Sequence, residues 1–320
     1  MNKIRLAVIC LEGLDNFMQW TEPLNKHFEV KVFIIRNDGD LIRAIGFADV
    51  IWCEWANEAA MAVTEMLSKR GSDKSKKKLI VRLHSYEALS PHPNNIKWDF
   101  VDHIVYVAEH IPEIVDVYFK DLHINARTLH TVIPNGVDIS GIELNKQTSG
   151  YKICAVGGIS HKKNPAMILQ IFKKLLEKDD RYRLHIAGAY QEARYEIYFN
   201  HMIDAMGLMG KIVIHGHVKD MDTFYKDKDF ILNTSVHEGH NVSIIEAMAR
   251  GITPVVHNYY GADRQYAKDE LFNTVDEAVD RIIAGEMTKA FIRKVVELKD
   301  WTLESQVNSF KDVINEVYLI

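Results

Sequence analysis

Cysteine is scarce, with three residues in a chain of 320. Cys10, Cys53 and Cys154 each sit inside an apolar, strand-like run and none lies near another in sequence, so no disulfide or metal pattern emerges. They read as small buried hydrophobes. Charge of one sign is also lacking. The formal net charge is -5 at pH 7, and residues 1–138 hold 16 Lys and Arg against 19 Asp and Glu, which excludes a chain that coats nucleic acid electrostatically. Long apolar runs are missing at the start: "MNKIRLAVICLEG" contains one strand-length run, too short to span a bilayer, and no small-residue cleavage site. The expectation is a cytoplasmic protein. A basic segment, "SKRGSDKSKKK" at 68–78, reads as a solvated loop and leaves peripheral membrane contact as the one membrane option.

What is present is a rhythm. "IRLAVIC", "FEVKVFII", "DVIWCEW", "KLIVRLH", "HIVYVA" and "TVIPNG" alternate with helix-length segments, and the pattern restarts at "YKICAVGG", followed by "YRLHIAG", "KIVIHG", "DFILNTS" and "TPVVH". Two α/β domains with doubly wound parallel sheets are expected, at 1–138 and 139–301. The polar stretch "DISGIELNKQTSGY" reads as the linker near 138–150. The run "DWTLESQVNSFKDVINEVYLI" repeats Trp301, Leu303, Val307, Phe310, Val313, Ile314 and Val317 at helical spacing, so an amphipathic C-terminal helix with a core-facing stripe is expected.

The most informative stretch is "FILNTSVHEGHNVSIIEAMARG", residues 230–251. An apolar strand runs into a loop carrying Glu238, then into a helix carrying Glu246. Gly239 allows close backbone approach and Asn241 is placed as the N-cap, so free amides should converge beside Glu238. An anion bearing hydroxyl groups suits that arrangement, and a nucleotide sugar is such an anion. The alternatives are a solvated Glu238 and a Glu246 paired with Arg250 four residues on. Apolar residues on most sides of Glu246 favour a specific role. After "KICAV", Gly157 and Gly158 leave the backbone accessible and "SHKKNP" precedes a helix, which reads as a phosphate cradle.

These motifs, with "HTVIPNGVDIS", "IVIHGHVKDMDTFYKDKDFILNTS" and "GITPVV", resemble the donor half of retaining GT-B glycosyltransferases of family 4, in the family's order over roughly residues 130–260. The resemblance implies two Rossmann-like domains facing an interdomain cleft, with a last helix from about 302 crossing back to the N-terminal domain. It implies transfer of a sugar, with retained anomeric configuration, from a nucleotide diphosphate sugar, UDP or GDP being the expected bases, to an acceptor hydroxyl. No cofactor or metal is implied. Glu238 would hold the transferred sugar, Glu246 the ribose, Lys163 and the amides of Gly239, His240, Asn241 and Val242 the diphosphate, and His84 the sugar from the other domain. Gly216, His217 and Val218 would lie by the base, and Gly13 would approach through its backbone.

One departure stands out. The family usually carries Arg directly after the first glycine of the cradle, where this chain has Gly158, so a second cation on the diphosphate is missing. Lys162, His161 or a cation of the N-terminal domain are the candidate replacements, a solvated basic turn being the competing reading of His161 and the favoured one of Lys162. A catalytically weakened nucleotide-sugar-binding or scaffold subunit is therefore the alternative function. Glu54 and Trp55 end the "DVIWCEW" strand on a rim suited to an acceptor, which the sequence does not specify among glycan, lipid carrier, protein or nucleic acid. The D-x-D runs at 38–40, 220–222 and 227–229 read as turns and junctions without a metal role.

Overall fold

The computed structural model describes residues 3–11, 18–69, 77–119, 128–146, 149–285 and 287–319. Gly13 and most of the basic segment, residues 70–76, lie outside the described residues. The chain forms two compact units, Met1–Asp138 with Thr302–Ile320, and Ile139–Trp301.

In the first unit six parallel strands, β1 (Arg5–Cys10), β2 (Glu29–Ile34), β3 (Val50–Cys53), β4 (Lys78–Leu83), β5 (His103–Tyr106) and β6 (Leu129–Val132), lie in the order β2-β1-β3-β4-β5-β6. The central strands are apolar almost throughout because helices cover both faces. Period two sorts their residues. Ala7, Ile9, Ile51, Cys53, Leu79 and Val81 face one core, while Leu6, Val8, Val50, Trp52 and Ile80 face another. The second core is closed by the C-terminal helix Leu303–Leu319, whose Val307, Phe310, Val313, Ile314 and Val317 recur at helical spacing. Phe310 packs 4.5 Å from Trp52 and 5.0 Å from Trp20, centroid to centroid.

Period two also places Arg82 on that second face, where it is fully buried and lies 4.9 Å from the Phe310 ring. Burial of a guanidinium demands a counter-charge. Glu54 provides it at 2.9 Å, and Asn135 accepts a second bond at 2.7 Å.

The second unit has β7 (Lys152–Val156), β8 (Arg183–Ala187), β9 (Ile212–Gly216), β10 (Phe230–Asn233), β11 (Thr253–His257) and β12 (Leu271–Phe272), in the order β12-β11-β10-β7-β8-β9. Counted from its own first strand this is the 3-2-1-4-5-6 arrangement, whose direction reverses between β7 and β10, and ligands of such sheets sit beyond the strand ends at that switch. The two-residue edge strand β12 is too short to show periodicity and is absent from the sequence reading.

Two expectations change. The stretch taken as a linker is fastened to the second unit: Asn145 donates to the carbonyls of Tyr225 and Lys228, and Arg293 to those of Ile139 and Ile142. Polar residues there satisfy buried backbone groups, so lack of apolar periodicity did not mean freedom. Trp301 precedes the C-terminal helix and packs within the second unit, its ring 4.8 Å from His240 and 5.9 Å from Tyr266. No helix among the described residues is long and apolar enough to cross a membrane.

Candidate functional site

At the switch point, the turn after β7 is shaped by close backbone approach. Gly157 adopts φ 128°, in a region L side chains avoid, and a Cβ there would lie 2.7 Å from Lys163 Cε, so the Lys163 stem runs across the glycine. Gly188, at the end of β8, presses on the same turn: a Cβ on it would meet the Gly157 carbonyl oxygen at 1.9 Å. Sequence reading missed Gly188, for which a glycine closing a strand run was the available signal. The side-chain direction of Gly158 is filled by Gln191, whose Nε2 would be 2.3 Å from an added Cβ.

A single 3-10 turn, His161–Lys163, follows and is pinned to the β10 loop from both ends. Val236 N–H donates to the Lys162 carbonyl at 2.9 Å and the Thr234 hydroxyl to that of Lys163 at 2.7 Å. Asn164, in the left-handed region at φ 46°, turns the chain into the helix Pro165–Lys178, with Pro at its start, where a missing N–H costs nothing.

Glu238 comes to this turn from β10. It is 6% exposed, and its Oε1 accepts from Lys163 Nζ at 2.5 Å and Ser235 Oγ at 2.8 Å, while Oε2 lies 3.0 Å from Lys162 Nζ. Burial raises its carboxyl, but Lys163 and Lys162, with the Lys163 and Ser235 hydrogen bonds, outweigh that and hold it at about 2. The solvated-loop alternative for Glu238 is thereby replaced, and Lys162, whose side chain stays partly exposed, is paired with it. His161 does remain at the surface, paired with Glu192 at 3.0 Å.

Asn241 caps the helix Val242–Ala249, accepting from Ser243 N–H at 3.2 Å and Ser243 Oγ at 2.7 Å. First-turn amides of a helix have no intrahelical acceptor, and Gly239 and His240 form the short loop that leads from Glu238 to this capped helix end. The Gly239 carbonyl is fixed by Gln265 Nε2 at 2.8 Å. The His240 ring is buried against Trp301, so its side chain serves packing.

One helix turn on, Glu246 is half-buried and takes a 3.3 Å hydrogen bond from the Tyr225 hydroxyl. Burial raises its carboxyl. Arg250, the alternative partner, donates instead to the Glu246 carbonyl at 2.7 Å and pairs with Asp222. Gly216 ends β9 at φ 65°, with His217 exposed and Val218 half-buried after it.

The D-x-D carboxylates are used internally: Asp220 caps a short helix, Asp229 accepts from Lys152 N–H at 2.7 Å and Asp40 from Arg36 N–H at 3.0 Å. Among the described residues no group of three or more His, Cys, Asp or Glu could hold a metal ion.

His84 lies in the first unit at the end of β4. Its ring stacks on Trp55 at 4.0 Å, its Nε2 is 3.4 Å from Glu54 Oε1, and burial holds the imidazole below its ordinary pKa. Glu54 is fully buried between Arg82, Trp52 Nε1 and His84, which removes it from the acceptor rim. Its carboxylate is the counter-charge that a buried Arg82 requires, a partnership 28 residues apart that spacing did not reveal.

Residues 140–285 match the family described as glycosyl transferases group 1. Mannosylfructose-phosphate synthase of Agrobacterium fabrum is 26% identical over 181 residues, 50% of this chain and 40% of that protein. The tRNA-queuosine alpha-mannosyltransferase of Drosophila melanogaster is 30% identical over 118 residues, 36% of this chain and 30% of that one. The chain thus spans less than half the length of these two curated relatives. The Anabaena protein HepE, solved in complex with UDP and glucose, superposes with a TM-score of 0.74 over 98% of this chain and 99% of its own, at 14% identity. The 3-2-1-4-5-6 sheet, the glycine turn at its switch point and the superposition agree: this is a chain of GT-B fold, and its residues 140–285 match the glycosyl transferases group 1 family.

Proposed function

We propose that this protein is a glycosyltransferase that moves a sugar from a nucleotide diphosphate sugar to an acceptor hydroxyl with retention of anomeric configuration, without a metal ion. The observation that carries this reading is the buried Glu238 carboxylate. It is held ionised at the sheet's switch point, between the Lys162–Lys163 turn and the start of the helix capped by Asn241. In this reading Glu238 accepts from the sugar hydroxyls, Glu246 from the ribose hydroxyls, and Lys163 with the first-turn amides offsets the charge that builds on the leaving diphosphate. Gly216, His217 and Val218 lie by the base. Retention then follows a front-face course in which the leaving phosphate assists removal of the acceptor proton.

Both curated relatives carry mannose in their names and the structural neighbour was solved with UDP and glucose, which supports nucleotide sugars as the donor class. A second reading, a binding subunit with weakened catalysis, is favoured by the filled side-chain space at Gly158. Thermal melting with UDP, GDP, ADP, UDP-glucose and GDP-mannose tests the donor site, with Glu246→Ala as the control. A selective rise in Tm lost in the variant supports the proposal, and no rise across the panel overturns it. Donor turnover in EDTA, with the product anomer read by NMR, separates the transferase from the binding subunit.

A further inference from the structure

Two ammonium groups converge on one carboxylate in the second unit. Lys163 reaches Glu238 Oε1 at 2.5 Å and Lys162 reaches Oε2 at 3.0 Å, so the trio carries one positive charge in excess. Glu238 is also the group proposed to hold the sugar. Because Ser235 also donates to that carboxylate, the two lysines are available to a second anion beside the glycine turn. A single phosphate satisfies one of them, and a diphosphate satisfies two.

Lys162 is built for that use. Its backbone is not free: the carbonyl is tied to Val236 N–H at 2.9 Å, and the next carbonyl is tied to the Thr234 hydroxyl. The side chain is 40% exposed, open enough to meet a ligand, while that of Lys163 is 22% exposed and lies over Gly157. Gly158 offers no side chain, and Gln191 fills the space where one would begin. His161 is turned to Glu192. Of the residues on this turn, Lys162 is the one placed to supply a second cation.

We infer that Lys162 is a diphosphate-recognition residue, paired with Glu238 in this structure, which on donor binding passes to a phosphate oxygen. The inference rests on the donor-site reading above and adds to it the residue that distinguishes a nucleoside diphosphate from a monophosphate. Glu238 keeps its Lys163 and Ser235 partners when Lys162 leaves, and a phosphate oxygen gains a charge-assisted hydrogen bond, so affinity rises where the second phosphate exists and not otherwise.

The test is calorimetric titration of the wild-type chain, Lys162→Met, Lys162→Arg and Lys163→Met with UDP, UMP, GDP and GMP. For whichever base binds, Lys162→Met is expected to weaken the diphosphate about tenfold and leave the monophosphate within about twofold, as loss of one charged hydrogen bond predicts. Lys162→Arg should restore the preference. Lys163→Met should weaken both ligands. Equal loss of both ligands in Lys162→Met, or no loss of either, overturns the inference while the donor site stands. Failure of the wild-type chain to bind any of the four removes the donor reading and this inference with it. Unchanged melting of Lys162→Met without ligand shows that the effect is on binding and not on folding.

Discussion

Replacing Glu54 by alanine probes the most demanding electrostatic arrangement in the first unit. Both Glu54 and Arg82 are fully buried, with Arg82 Nη1 donating to Glu54 Oε1 at 2.9 Å. Glu54 Oε2 also accepts from Trp52 Nε1 at 2.8 Å. Burial works against the charged form of each. For Glu54 the attraction of Arg82 and the His84 hydrogen bond overcome it and the carboxyl is lowered; for Arg82 burial is the larger effect and the guanidinium is lowered. Glu54→Ala leaves Arg82 with Asn135 Oδ1 and the Ile133 carbonyl but without its ion partner, and strands the indole N–H. Breaking a buried pair from one side costs about 3–5 kcal/mol, a large part of the roughly 5–15 kcal/mol that holds a domain folded. At a urea slope of about 2 kcal/mol per molar the midpoint should fall by about 2 M.

Tryptophan fluorescence reports the right unit, since Trp20, Trp52, Trp55 and Trp98 lie in the first and Trp301 alone in the second. The paired replacement Glu54→Leu with Arg82→Met should come within about 1–2 kcal/mol of wild type, because removing both charges also removes their desolvation cost. A loss below about 1 kcal/mol in Glu54→Ala would refute the argument. So would a double variant as unstable as the single one.

Three further outcomes follow from the structure. Gly188→Ala places a methyl 1.9 Å from the Gly157 carbonyl oxygen, so it should lower stability by about 1–3 kcal/mol and abolish the rise in Tm given by a nucleoside diphosphate. Glu87 is raised to about 8, chiefly by burial, and stays protonated in the fold while the unfolded chain ionises near 4.3. Its effect is therefore a loss of stability as pH rises from about 4 to about 8, and Glu87→Gln should flatten urea midpoints across that window. Glu238 has the opposite sign: with its carboxyl held at about 2, its stabilisation is complete above the unfolded value and is lost as pH falls through about 2, so Glu238→Gln should make acid unfolding between pH 5 and 2 less steep.

Element existence was legible because the central parallel strands, covered on both faces, are near-continuous apolar runs, and the partly exposed edge strands β2, β6 and β9 still hold enough apolar residues to be read, unlike the two-residue β12. The Asn241 cap was legible for a local reason, a short polar side chain one residue before an apolar helix. Residues 139–146 were not, since their hydrogen bonds run to Tyr225, Lys228 and Arg293, far along the chain.

By itself the sequence determined the alternation of strands and helices, the glycine turn after β7, the carboxylates of Glu238 and Glu246, and the amphipathic stripe of the last helix. Each is a property of residues within a few positions of one another, where spacing converts directly into geometry. Tertiary structure decided who meets whom. Lys162 faces Glu238 across 76 residues because two loops end at one switch point, Gly188 matters because β8 lies against β7, and Arg82 is tolerable because Glu54 lies on the neighbouring strand. Electrostatic and steric contacts act through space, and only the fold sets those distances.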